Sequence, residues 1–329
     1  MVSKRVESWL FDDEQPAVRY LAMRQLGGRS ESDSEVQEAK RRIPTTGWVA
    51  EILAERNPAG WWVRGENHYR PKYTSTNWKM LVLSDLGLTR ENAAIQDSCE
   101  LWMRMKPMQK GEPGTQLPGP LHHCVVGNAV RALIRFGYED DPRVQRGLEW
   151  LVETANSKGG WSCFGSSRGP SKGRTLDSWE GLSALSAYPR TKRTASMQRA
   201  IDLGAEFYLE RELHRQGARY PPWHRFHYPV HYYYDLLVGL DLLTALGYAD
   251  DHRLRYALEV LRRKQRSDGR WNLDAVHPDV EGPIAAWYDR HPKDRPVPWA
   301  LERPGQPSRM ITLIAQRVLE RVEGTTGAS

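Results

Sequence analysis

The sequence predicts an all-α fold, an α/α toroid in which five to six helix pairs form an inner and an outer ring. Three observations predict it. The stretch Gly137–Trp161, GYEDDPRVQRGLEWLVETANSKGGW, returns without a gap as Gly247–Trp271, GYADDHRLRYALEVLRRKQRSDGRW. A repeat of this length is the mark of a stacked supersecondary unit. Helical spacing recurs along the chain while strand-like alternation is scarce. Segments apolar on every side alternate with segments apolar on one; the first kind needs an interior and the second a surface. An open solenoid stacks helix pairs as well, but loops of unequal length and tryptophan-rich apolar helices favour closure.

The elements follow in order. Leu10 and Phe11 close a short first helix, read as an extension over 1–15. Pro16 suits the first turn of a second helix, with Val18, Leu21, Ala22 and Leu26 on one face and Gly27-Gly28 as its stop. Ser34 to Arg56 reads as one or two helices interrupted near Pro44 and Gly47. Thr74 and Ser75 offer capping hydroxyls to a helix carrying Trp78, Leu81, Val82 and Leu86. Glu91 to Met105 is a helix, and the Gly- and Pro-rich stretch from Pro107 to Pro120 is a loop. His122–Phe136 is strongly apolar and precedes the repeat helix Pro142–Thr154. A glycine-rich loop leads to Leu176–Tyr188 and then Thr194–Leu213. Tyr220–Pro229 is irregular, Val230–Leu246 is apolar, and Arg253–Gln265 is the second repeat helix. Prolines and glycines preclude a long helix over Asn272–Pro307, and Met310–Val322 closes a single domain spanning 1–329, with 323–329 a frayed tail.

Composition bounds the function classes. The 329 residues carry a net charge of +6, but Lys and Arg are interspersed with Asp and Glu, with no basic run for a nucleic acid. Three cysteines without a CxxC spacing fit a reducing cytosol, and no apolar run is long enough for a signal peptide or a membrane span. Thirteen tryptophans and fourteen tyrosines against five phenylalanines suit cavity walls and helix-end packing.

The two copies resemble the QW motif of squalene and oxidosqualene cyclases: a basic, a small, an aromatic and an aliphatic residue, then Gln, then Gly-X-Trp. Arg146, Gly147, Trp150, Leu151, Gly159 and Trp161 fit it, with Ala155 where Gln belongs. Ala257, Leu261, Gln265, Gly269 and Trp271 fit in the second copy, while Tyr256 and Val260 do not. Ile52, Gly60 and Trp62 make a degenerate third copy with Arg56 in the Gln place. Gln265 is expected to bond exposed helix-end backbone under a tryptophan ring, which is a scaffold role. More broadly, PKYTSTNW, CVVGNAVRALIRFGY, KGGWSCF and YYYDLLVGLDLLTALGYADD resemble bacterial and archaeal prenyltransferase and squalene-oxidase repeat proteins, over roughly residues 16–322. That resemblance implies an α/α toroid related to terpenoid cyclases and protein prenyltransferase β subunits. It leaves the reaction open, since one fold hosts many.

The signatures of those enzymes are missing. No Asp-X-Asp-Asp acid cluster occurs; Asp140-Asp141 and Asp250-Asp251 are pairs that read as helix caps, and no aspartate-rich diphosphate motif follows. Asp97-Ser98-Cys99 has the local spacing of the prenyltransferase zinc pair but lies inside an outer helix. Topology gives better candidates. Inner helices of a toroid run the same way, so their N-termini share one mouth of the cavity and add positive potential for an anionic group. Asp235, Asp177 and His231 are the candidate acid–base residues there, working on a hydrophobic substrate whose cationic intermediates aromatic faces would stabilise. Lys72, Tyr73, Trp78 and His122 are candidate substrate contacts, as are Asn128, Trp161, Tyr234 and Arg309. Cys124 and Cys163 with a histidine, His123 foremost, are candidate zinc ligands. Three readings stand open: a terpenoid-cyclase-like enzyme on an isoprenoid or other hydrophobic small molecule, a non-catalytic binding protein, and a zinc-dependent transferase or hydrolase.

Overall fold

A computed structural model describes residues 4–104, 122–163, 173–216, 218–219, 221–231, 233–277, 285–292, 295, 297 and 299–326. Its helices are α1 (Lys4–Leu10), α2 (Pro16–Gln25), α3 (Ser34–Arg42), α4 (Gly47–Ala54), α5 (Thr76–Asp85), α6 (Ala93–Met103) and α7 (His123–Arg135). They continue as α8 (Pro142–Glu153), α9 (Thr175–Ala187), α10 (Ala195–Leu209), α11 (Leu236–Leu246), α12 (Arg255–Arg263), α13 (Ala285–Arg290) and α14 (Arg309–Thr326). Among the described residues the only strands are Arg215–Gln216 and Ala218–Arg219, one small antiparallel hairpin. The chain is all-α, as expected.

Two compact units divide it: Met1–Glu55 with Leu86–Leu88 and Glu212–Ser329, and Arg56–Asp85 with Thr89–Arg211. In the first unit α2 packs on α1, α3, α4 and α14, and α11 on α12 and α14, so the two ends of the chain share one core. In the second, α7 packs on α5, α8 and α9, and α10 on α8 and α9.

The alternation of burial follows the sequence. Every residue from Thr76 to Ser84 of α5 and from Cys124 to Ile134 of α7 is buried. By contrast α8 buries only Val144, Gly147, Leu148 and Leu151, and α12 only Ala257, Leu258, Val260 and Leu261. Asp141 and Asp251 start the outer repeat helices alike, accepting the N–H of Arg143 at 2.8 Å and of Arg253 at 2.9 Å. The second aspartate of each pair is therefore a capping residue.

Two inner helices approach to backbone contact. A Cβ on Gly127 of α7 would lie 2.6 Å from the carbonyl carbon of Glu180 and 2.7 Å from the nitrogen of Gly181, both on α9. Only glycine permits that crossing. It sets Cys124, one turn before Gly127, against the first turns of α9.

The Gly-X-Trp turn occurs three times with one geometry. The N–H groups of Asn57, Asn156 and Arg266 donate to the carbonyls of Trp61, Gly160 and Arg270 at 2.8, 3.0 and 2.9 Å. Gly60, Gly159 and Gly269 have φ of 104°, 82° and 83°, a region that favours glycine. In each turn the tryptophan N–H reaches a hydroxyl on the next inner helix: Trp62 to Thr76 Oγ1 at 3.0 Å, Trp161 to Ser178 Oγ at 2.8 Å, Trp271 to Thr312 Oγ1 at 3.0 Å. The indoles of Trp161 and Trp271 donate to the carbonyls of Leu151 and Leu261, at 2.9 and 2.8 Å. Gln265 Nε2 does reach the carbonyl of Gly269, at 3.3 Å. The turns at Ala155 and Arg56 form without it, so the hydroxyl carries the brace.

One boundary moves. The helix expected from Val230 starts at Leu236, because Asp235 Oδ1 accepts the N–H of Val238 at 2.9 Å and caps it. His231 and Tyr234 therefore precede the helix.

Ser178→Ala, Thr312→Val and Thr76→Val each strand a buried N–H, and each should cost about 1–3 kcal/mol in urea unfolding. Gln265→Ala should stay within about 0.5 kcal/mol.

Candidate functional site

In the second unit the start of α9 meets the segment after Trp161. Ser178 Oγ accepts the Trp161 N–H and donates to the Arg174 carbonyl at 2.6 Å. That clamp brings the next residues together. Cys163 donates its N–H to Asp177 Oδ2 at 3.1 Å, and its Sγ lies 3.3 Å from Cys124 Sγ. Nδ1 of His122 is 3.3 Å from the Cys163 carbonyl oxygen, and Nδ1 of His123 is 3.1 Å from that of Ser162. Arg174 Nη1 stands 3.9 Å from Asp177 Oδ2. Asn128 is buried one turn along α7 from Cys124.

One turn along α9 from Asp177 lies Glu180, fully buried, with neither carboxyl oxygen hydrogen-bonded among the described residues. Beside it the Arg131 guanidinium stacks 4.9 Å over the Trp179 ring. Burial drives the Glu180 carboxyl well above the carboxylate range, reinforced by negative charge on Cys163 and Asp177 and opposed by Arg131. Burial and the charge of Cys163 likewise push Asp177 up to about 6. Cys163 is pulled down, chiefly by the Cys124 thiol donating to it, and Cys124 is pushed up by the same bond and by burial. Two carboxyls shifted upward and one thiol shifted downward thus stand at one place. Glu180 escapes a reading of helix ends; its signal is a carboxylate three residues from Asp177 inside an otherwise apolar segment.

Among the described residues no three His, Cys, Asp or Glu side chains are disposed to hold a metal ion. Two thiolates on tetrahedral zinc stand roughly 3.8 Å apart, whereas Cys124 and Cys163 are at thiol hydrogen-bond distance. His123, the expected third ligand, directs Nδ1 to a backbone carbonyl and stacks on Trp150 with ring centroids 4.7 Å apart. Cys99 is fully buried on α6, where burial raises its thiol, and neighbouring Ser98 bonds the Gly60 carbonyl.

The first unit holds the other acid–base candidates. Asp235 Oδ2 accepts the backbone N–H of His227 at 2.9 Å and lies 2.6 Å from His227 Nδ1, both side chains 1% exposed. With the cap to Val238, the carboxylate is an acceptor three times over. Asp235 thus caps α11 and meets His227. Its partner is His227, whose Nε2 has no hydrogen bond among the described residues. His231 stacks instead on His277, with centroids 5.4 Å apart, near Trp299. Tyr234 donates its hydroxyl to the Leu213 carbonyl at 3.0 Å, so it braces the loop and does not offer that group to a ligand.

The remaining candidates are distributed. Lys72 Nζ lies 4.8 Å above Tyr73 and 5.9 Å above Trp78, two buried rings in edge contact. Arg309 spans Asp12 Oδ2, at 3.2 Å, and the Trp9 carbonyl, with its guanidinium over the Trp9 ring; it ties α14 to the N-terminal segment and is not a ligand contact. Trp161 belongs to the scaffold.

No family model matches the sequence, and no curated protein does. Among solved structures the chain is similar to the type II terpene cyclase MstE from Scytonema without ligand, at 18% identity and a TM-score of 0.32, covering 84% of this chain and 96% of that one. A variant of that enzyme in complex with geranylgeranyl dihydroxybenzoate matches at 16% identity and a TM-score of 0.31, covering 84% and 95%. Another, in complex with merosterolic acid A, matches at 16% and 0.33 with the same coverage.

Asp235→Asn leaves His227 without its charged partner and should lower stability by about 1.5–3 kcal/mol, measured by thermal or urea unfolding. A variant that melts like the parent would overturn this role.

Proposed function

We propose that the protein is an acid–base enzyme that acts on an isoprenoid or other hydrophobic small molecule, with Asp177 as proton donor. The observation that supports this reading is the carboxyl pair on α9, Asp177 raised to about 6 and Glu180 higher still, both buried. A buried carboxyl held above its ordinary range is a cost to the fold, so two of them on one face of one helix point to a task. The hydrophobic substrate class rests on the sequence resemblance to cyclase repeat proteins.

The chemistry divides as follows. Asp177 transfers its proton to an electron-rich carbon of the substrate, leaving a cation on the adjacent carbon. Aromatic faces stabilise that cation. The Asp177 anion left behind keeps two partners, the Cys163 N–H at 3.1 Å and Arg174 at 3.9 Å. A base then removes a proton from the substrate cation, and the half-buried His122 is the nearest candidate in the cluster. Burial of Glu180 disfavours its charged form and so a second negative charge beside the new anion. At pH 7 roughly one Asp177 in ten carries the proton, which is enough for turnover.

The sign of the pH dependence follows. The acid form is the active one, so turnover should fall about tenfold per pH unit above about 6. The raised native value also means that the folded state binds the Asp177 proton more tightly than the unfolded chain does. Its contribution to stability is present below the ordinary carboxylate value and is lost as pH rises to about 6. Incubation with linear polyprenyl alcohols and diphosphates, read by mass spectrometry for products of unchanged mass, tests the activity. Asp177→Asn should reduce turnover by about 100-fold or more, with its helical circular dichroism intact. It should also flatten the stability profile between pH 4 and 6, which needs no substrate. Full activity in Asp177→Asn, or a flat rate profile from pH 5 to 8, overturns the assignment.

A further inference from the structure

The closest approach of reactive groups in the second unit is not used by the proton transfer. Cys124 Sγ and Cys163 Sγ stand 3.3 Å apart, and no disulfide joins them. A disulfide bond is about 2.05 Å long, so joining them takes a closure of roughly 1.3 Å. Cys124 is fixed in the first turn of α7, which Gly127 locks against α9. Cys163 lies outside any helix, in a turn, and is held through its N–H to Asp177. One sulfur is thus anchored in a helix and the other sits in a turn. They also differ in access: Cys163 is half-buried, whereas Cys124 is 7% exposed.

We propose that Cys124 and Cys163 are a dithiol site that forms a reversible disulfide by exchange with a low-molecular-weight disulfide, Cys163 attacking and Cys124 resolving. The Cys163 thiolate attacks one sulfur of the small disulfide; a mixed disulfide forms and one small thiolate leaves, taking a proton from solvent. The Cys124 thiolate then attacks Cys163 Sγ, closing the protein disulfide and expelling the second small thiol with the Cys124 proton. Two electrons pass from the pair to the oxidant, which ends as two thiols, and a reducing dithiol reverses both steps. Access sets the order, since the oxidant reaches Cys163 before Cys124. The inference does not require the proton-transfer reading and fails separately from it.

The test uses the full chain, reduced and freed of reductant, then incubated with glutathione disulfide under native conditions and quenched by alkylation in acid. Peptide mapping should return Cys124 and Cys163 joined, with the protein lighter by two hydrogens and Cys99 still free. Dithiothreitol should restore all thiols. Cys124→Ser should stop at a Cys163–glutathione adduct, and Cys163→Ser should slow the reaction at least tenfold. Should a variant fail to fold, the mapping of the parent chain decides alone. A linkage involving Cys99, no linkage before unfolding, or stoichiometric zinc on the purified protein that must be removed before oxidation would each overturn the proposal.

Discussion

A single hydroxyl joins the scaffold to the chemistry. Ser178 Oγ accepts the buried N–H of Trp161 and passes its own proton to the Arg174 carbonyl. An N–H buried without a partner is costly, so the Gly-X-Trp turn is fixed on α9 at this point and no other. The residue before Ser178 is Asp177, and two residues after Trp161 comes Cys163, so the clamp aligns them and the Cys163 N–H falls on the carboxylate. Asp177 and Cys163 then share a field: each one's charge enters the other's proton affinity. The acid and the sulfur pair are two properties of one junction, held in place by an interaction that is itself only structural.

The second constraint is the glycine contact between α7 and α9. It leaves no side-chain volume between the helices at Gly127. Glu180, on the α9 side of the contact, is buried without a hydrogen bond to its carboxyl. A charged carboxylate there would forfeit its hydration with only Arg131 nearby in return, so burial favours the neutral form. Gly181, the next residue, receives the Trp161 ring, whose edge would lie 3.0 Å from any Cβ there. Consecutive positions on one helix thus accept a facing backbone and a facing indole, and the ionisable groups on the same helix are sealed in.

Much of this was legible in the sequence, and the rest was not for definite reasons. The repeat, the alternation of helix burial and the capping aspartates rest on local periodicity and turn chemistry, which a sequence carries directly. Asp177, Cys124, Cys163 and His122 were reachable by asking which residues begin inner helices. Glu180 was not, because a carboxylate within an apolar segment looks like a surface position until the neighbouring helix is known to touch it. The partnership of Asp235 with His227 depends on how a proline-rich stretch folds back, and no periodicity encodes that. The expected glutamine brace gave way to Thr76, Ser178 and Thr312, since a hydroxyl in a buried helix reads as packing until its N–H partner is seen.

The threefold recurrence of the turn provides an internal comparison. The position before the clamping hydroxyl is Ser75, Asp177 or Ile311; the position two after it is Trp78, Glu180 or Ile314; and the position two after the tryptophan is Arg64, Cys163 or Leu273. The three clamps have the same geometry, so the fold's need at each position is the same. Two copies meet it without a carboxyl or a thiol. Asp177, Glu180 and Cys163 are therefore not requirements of the turn, and Glu180 in particular works against stability where Trp78 and Ile314 do not. A protein that builds one brace three times and loads only one of them with buried carboxyls and a thiol has a use for those groups beyond the brace.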